Sequence, residues 1–243
     1  MRYNQWRYML LGMMCIMSIY SPAKSSDRYI GLDAGYLAGD FDSAVDSQLY
    51  SVQLTGGIIG TDYDLSMAVP MLRLEEDNGF SESGIGDILI SYGHDLIERR
   101  SNGISLDGSL MVKLPTADEA AGLGTGEIDY GAIFNLDKKW PIVSGNLHIG
   151  YIRAGDASDI NYNDTLLYGA TAYKVFNRTG TYLSIEGRTA TIDNSDDPLE
   201  VHIGGFYALS FRNMLVVNSI VGLNDSGPDF GFTIGVRHWL YEK

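Results

Sequence analysis

The chain has 243 residues, 45% of them hydrophobic, with 31 acidic against 17 basic side chains and a formal net charge of −14. Removing residues 1–23 takes away Arg2 and Arg7 and no acid, which leaves 15 basic against 31 acidic residues, or −16. That balance excludes nucleic acid as a partner, because binding phosphates needs a basic patch. The single cysteine, Cys15, excludes a disulfide framework.

In chain order, the N-terminus comes first and reads as a cleavable signal peptide over 1–23. Arg2 and Arg7 supply the positive start, 8–20 the apolar core, and Ser21-Pro22-Ala23 a small-residue cleavage site. The apolar core is too short for a spanning helix, and nothing later offers 18 uncharged apolar residues. A lipoprotein signal would want a small residue before the cysteine. Met14 is bulky, so Cys15 reads as part of the apolar core.

From about Tyr29 to Trp239 one unit recurs, roughly ten residues of alternating apolar and polar character followed by a break. The predicted strands are 29–38, 47–56, 62–74, 84–95, 104–114, 126–136, 142–153, 163–175, 181–192, 199–210, 214–223 and 228–239. Pro70 lies inside the third, where it removes a ladder hydrogen bond and predicts a bulge. In the fifth, Ile104, Leu106, Leu110, Val112 and Leu114 oppose Ser105, Asp107, Ser109 and Lys113. In the last, Phe230, Phe232, Ile234 and Val236 oppose Asp229, Gly231, Thr233, Gly235 and Arg237. A soluble sandwich also alternates. Its outer face would be generic and solvated, whereas these polar faces are rich in Gly, Ser and Thr, as a confined lumen would be. The expected fold is all-β: an antiparallel transmembrane β-barrel of about 12 strands, one domain over 24–243.

The breaks divide into two sets. Short ones carry Arg and Lys: 57–61, 98–102, Asp137-Lys138-Lys139, Asn177-Arg178-Thr179 and Arg212-Asn213. Longer acidic ones are 39–46, 75–78, 115–125, 154–162, 193–197 and 224–227. With both termini in the periplasm, the first set becomes periplasmic turns and the second extracellular loops. Tyr29, Tyr63, Tyr92, Tyr151 and Tyr162 fall near strand ends, as aromatic girdles do. The final strand has the phase of a barrel-assembly signal, with Leu240 in place of the usual terminal aromatic.

The stretch 84–136 is more specific. Gly84-Ile85-Gly86-Asp87-Ile88 opens one strand, Lys113-Leu114-Pro115-Thr116 closes the next, and Gly122-Leu123-Gly124-Thr125-Gly126 leads into Glu127-Ile128-Asp129-Tyr130-Gly131. This order and spacing resembles the family of outer-membrane transporters named for the MetA pathway of phenol degradation. The resemblance implies a barrel in the bacterial outer membrane and transport, and supplies no substrate; the expected function is passive passage of a small solute, hydrophobic or aromatic molecules included. The alternative is a closed structural or surface-interaction barrel without transport. Expected partners are outer-membrane lipid and lipopolysaccharide, the barrel-assembly machinery and the solute, for a monomeric protein with no cofactor.

The inward-phase charges are the lumen and selectivity candidates: Asp64, Asp87, Asp107, Lys113, Glu127, Asp129, Glu186, Arg188, Glu200, Asp229 and Arg237. Lys113 closes a strand next to the one opened by Glu127 and Asp129, so a cross-strand cluster near the extracellular mouth is expected. Such charges either satisfy one another as a plug or select a solute. Acids outnumber bases, so a path would favour cations or neutral molecules. Catalysis has little support: Ser144 and His148, with Asn146 between them, lie on one strand about 13 Å apart, too far for a nucleophile–base contact. The acidic runs 75–77 and 193–197 lack the glycine and terminal glutamate of a calcium loop and read as solvated charge. The glycines at 122–126 precede no helix, which argues against a phosphate cradle.

Overall fold

The computed structural model describes residues 27–41, 45–97, 103–155 and 162–240. The signal-peptide reading of 1–23, the turn at 98–102 and most of the loop at 154–162 lie outside them in whole or in part. Among the described residues thirteen strands are formed: β1 (Asp27–Gly39), β2 (Ser47–Ile59), β3 (Tyr63–Glu76), β4 (Ser81–Ile85), β5 (Ile88–Ile97), β6 (Ile104–Leu114), β7 (Asp129–Lys139), β8 (Ser144–Arg153), β9 (Thr165–Phe176), β10 (Thr179–Arg188), β11 (Leu199–Ala208), β12 (Asn213–Gly222) and β13 (Phe230–Leu240). Each pairs antiparallel with its neighbours, β1 pairs with β13, and the ring closes. β4 and β5 both pair with β3 and make one stave, so the barrel has twelve. Closure leaves no open edge around the ring, β4 alone among the described strands being paired on one side only, at the far rim, and it is closure that lets a β-structure cross a bilayer. No helix among the described residues is long and apolar enough to cross a membrane.

The alternation places its apolar half on the outside. Leu32, Leu54, Met67, Leu110, Leu183 and Ile203 are among the exposed large side chains of this belt, Ile203 with 60% of its surface open. Exposure on that scale over a whole circumference is unfavourable in water and favourable in lipid. Tyr63, Tyr92, Trp140, Phe176 and Phe211 ring the end where the chain enters and leaves, and Tyr50, Tyr130, Tyr151 and Tyr168 ring the far end. Tyr29 is a correction to the girdle: it points into the lumen, lies over Gly57, and has its ring centroid 6.4 Å from that of inward-facing Trp239.

The break between β4 and β5 has a local cause. Ala68 pairs with Leu89 and Met71 with Ile85, so β4–β5 carries one extra residue opposite Val69 and Pro70. In an antiparallel ladder a residue's N–H and C=O point the same way. Pro70 accepts a bond from the Gly86 N–H at 2.8 Å but has no N–H to return, and the bulge sits at that missing donor. The bulge delivers Asp87 to the interior.

Several boundaries differ from the sequence reading. β7 begins at Asp129 and not at 126, which leaves Glu127 in the preceding loop, and Asp137, Lys138 and Lys139 complete β7 while the turn falls at 140–143. Lysine is compatible with a strand end when its neighbour in the ladder is polar, as Ser144 is for Lys139. The β9–β10 turn is two residues, Asn177 and Arg178, and Asn177 takes a φ of 53° that asparagine tolerates better than most residues.

Candidate functional site: the lumen and its far-end latch

The motifs at 84–88, 113–116 and 122–126 assemble into one joint. Pro115 ends β6, and the Thr116 hydroxyl enters the bulge, accepting from the Ile88 N–H at 3.0 Å and donating to the Gly86 carbonyl at 2.9 Å. It replaces the ladder bonds that the bulge removes. Asp87 accepts from the Ala117 N–H at 3.1 Å. The Lys113 ammonium sits 2.7 Å from Asp129 and 3.4 Å from Asp87, and donates to Thr125. Lys113 and Asp129 are cross-strand partners, 6% and 1% exposed. The second Asp129 oxygen accepts from the Gly155 N–H at 2.9 Å. A buried lysine so surrounded keeps its charge solvated by the protein.

The loop 115–128 is therefore packed against the barrel wall and not free. It turns into the barrel through Gly122 and Gly126, with φ of 70° and 74°, and through Asp118, whose carboxylate accepts from the Ala120 and Ala121 N–H groups. Gly124 lies so close to Asp87 and Ala117 that a Cβ there would sit 2.7 and 2.5 Å from them. Leu123, 2% exposed, joins a buried cluster with Leu37, Phe41, Leu49, Leu72, Leu74 and Ile220. Those residues come from β1, β2, β3, β12 and the β1–β2 loop. The far end of the lumen is thus held by an apolar contact on one side of the loop and by an ion cluster on the other.

A second polar row runs across β8 to β11. His148 and Glu186 meet at 2.8 Å, and Arg188 and Glu200 at 2.6 Å, with His202 3.1 Å from the other Glu200 oxygen. At the seam where the ring closes, Arg237 of β13 reaches Asp33 of β1 at 2.8 Å. Glycines make these contacts possible. Gly169 stands between His148 and Glu186 in the register, Gly204 between Tyr182 and Asn218, and in each case the flanking side chains meet over the bare backbone. Toward the near end the acids have neutral partners. Asp107 accepts from Asn135 at 2.9 Å, Asp137 from Tyr173 and Asn146 at 3.0 and 3.1 Å, and Asp64 lies against Gly93.

Of the charges named from sequence, the structure brings Lys113, Asp87 and Asp129 together, and Arg188 with Glu200. Glu186, Arg237, Asp64 and Asp107 also face inward. Glu127 packs in the loop against Gly155, outside the ion cluster, and Asp229 is exposed at the far rim. Asp33, the bonding roles of Asp137 and Thr125, and the bridging glycines lie outside the sequence reading. Asp33 shares the inward phase of β1 with Tyr29 and Leu37, a signal that was available. The glycines carry no signal until the register is known. His148 is committed to Glu186 and Asn146 to Asp137, so neither is oriented toward Ser144.

The family described as "Putative MetA-pathway of phenol degradation" matches residues 26–240. The chain belongs to this family. Among solved structures, an outer membrane channel from Pseudomonas putida F1 superposes with a TM-score of 0.74 at 13% identity, over 91% of this chain and 98% of that one. The NanC porin gives 0.56 at 11% identity over 87% and 100%, and the translocator domain of the autotransporter NalP from Neisseria meningitidis gives 0.54 at 13% over 95% and 94%. At such identities the likeness is one of fold, and the fold is that of an outer-membrane β-barrel. No curated protein matches the sequence. With its lipid-facing belt and closed ladder, this member of the family is an outer-membrane β-barrel.

Proposed function

We propose that the protein is a monomeric passive channel for a small solute, with residues 1–23 removed on export and 24–243 forming the barrel. Both termini then lie in the periplasm, and the latch of 115–128 narrows the extracellular half. The observation that carries this reading is the division of the lumen. Its near half presents Asp64 and Asp107, partly open, with Asp107 accepting from the neutral Asn135, while its far half holds the loop and two separate buried apolar clusters. Acids on a narrow water-filled path concentrate cations and repel anions. Cations and neutral molecules are the expected permeants, small hydrophobic or aromatic ones among the neutrals. The assembly machinery and lipopolysaccharide are the expected membrane partners.

The purified barrel in liposomes should swell in small neutral solutes, and in planar bilayers its reversal potential under a salt gradient should favour cations. The second reading is a closed structural barrel, favoured by the buried ion pairs and by Leu123 in its cluster. Swelling no faster than in empty liposomes would establish that reading instead.

A further inference from the structure

Resting on the channel reading, one stretch of the lumen wall carries more recognition chemistry than the fold consumes. β10 presents Ser184, Glu186 and Arg188 on its inner face at alternate positions, about 6.8 Å apart. β11 sets His202 opposite Ser184 and Glu200 opposite Glu186. Four atoms in this group are buried and without a hydrogen-bond partner: Ser184 Oγ, Glu186 Oε1, Arg188 Nη2 and His202 Nδ1. Ser184 and His202 are each 1% exposed and Arg188 is 7%. Each of the three ionisable side chains spends one end on an internal pair and leaves the other open. Glu186 holds His148 through Oε2, Arg188 holds Glu200 through Nη1, and His202 meets Glu200 through Nε2. A buried polar atom left unpaired costs about 1–3 kcal/mol, so four within one face call for an occupant.

The open valences are mixed in kind. Glu186 Oε1 accepts, Arg188 Nη2 donates, and the Ser184 hydroxyl and His202 Nδ1 take either role according to rotor and tautomer. A cation gains Glu186 but meets Arg188, and an anion gains Arg188 but meets Glu186. A hydroxyl donates and accepts at once, and hydroxyls about three or four carbons apart on one chain span adjacent positions of the row. The His148 and Glu186 side chains keep 10% and 13% of their surface open, so this pair is the accessible edge of the row. The apolar cluster of Leu89, Met111, Ile133 and Ile152, with Leu167 packed against it, borders the row through Leu167, the register partner of Arg188. It offers a wall for the carbon skeleton.

We propose that this face of β10 and β11 is a binding subsite for a small neutral polyhydroxylated solute, a polyol or monosaccharide. The test uses the full barrel in detergent micelles with sorbitol as probe and triethylene glycol dimethyl ether as a control that can only accept. Saturation-transfer NMR should show a saturable sorbitol signal and none for the ether. Ser184→Ala should weaken sorbitol about threefold to tenfold and Glu186→Gln about tenfold or more, with heat-modifiable gel migration showing that both variants are folded. No saturable sorbitol signal in the parent protein, or equal signals for sorbitol and the ether, would overturn the subsite and leave water as the occupant. So would an affinity unchanged in both folded variants. Ion conductance of the same preparation separates the two readings. Current without a sorbitol signal sinks the subsite alone, and a sorbitol signal without current sustains the subsite and sinks the channel.

Discussion

His148 on β8 and Glu186 on β10 meet at 2.8 Å across an intervening strand, because Gly169 of β9 leaves the space between them empty. A Cβ on Gly169 would lie 2.2 Å from the Glu186 carboxylate and 2.5 Å from the His148 ring. Gly169→Ala should therefore part the pair and destabilise the barrel by about 1–3 kcal/mol, as overpacking does. Gly56→Ala meets nothing within 4 Å and is the control, expected within about 1 kcal/mol of the parent. Urea unfolding midpoints in lipid vesicles compare the two.

The latch makes a sharper energetic prediction. Asp129 is 1% exposed, and Lys113→Met strips it of its cation. Removing one partner of a buried pair costs about 3–5 kcal/mol, while replacing both by apolar groups is often near neutral. Asp87 also loses its partner in the single variant. The double variant Lys113→Met with Asp129→Leu should thus be more stable than Lys113→Met alone. Independent, additive losses in a denaturant double-mutant cycle would mean that the contact carries no coupling.

Leu123 anchors the loop against the opposite wall. Leu123→Asp places a charge in the apolar cluster and should detach 115–128 from it. The expected result is a larger single-channel conductance and new protease cleavage within 115–128. A conductance equal to that of the parent would show that the loop does not narrow the path.

How much of this was readable beforehand depends on which physical feature carried the signal. The lipid-facing side of β13, with Phe230, Phe232, Ile234 and Val236, was plain because alternation has a period of two and apolar residues declare themselves. The partnership of Lys113 with Asp129 followed from adjacent strand ends. The fold of 115–128 into the lumen did not, because a polar, glycine-rich loop looks the same in sequence whether it faces water or a barrel interior. Asp33 shares the inward phase of Tyr29 and Leu37, yet nothing in the sequence alone pairs it with Arg237. The Gly169 gap could not be seen at all, since its meaning lies in the residues that register places on either side.

The outer belt has its own test. Ile185 is half exposed in the middle of β10, facing lipid. Ile185→Arg should destabilise the barrel by about 2–4 kcal/mol in vesicles, as charges do near the bilayer midplane. A loss below about 0.5 kcal/mol would place that face in water.

Near-half acids govern permeation in the proposed channel. Asp64→Asn combined with Asp107→Asn removes two inward negative charges without changing side-chain size. The cation preference should fall, seen as a reversal potential closer to zero under the same salt gradient. An unmoved reversal potential would remove these residues from the path.

The central claim, that the barrel encloses a cation- or neutral-favouring path, is tested most directly by the reversal potential of single channels in a planar bilayer under a potassium chloride gradient. The account predicts discrete conductance steps whose reversal potential lies on the cation-selective side. Absence of steps above the bare bilayer, or a reversal potential on the anion-selective side, would contradict it.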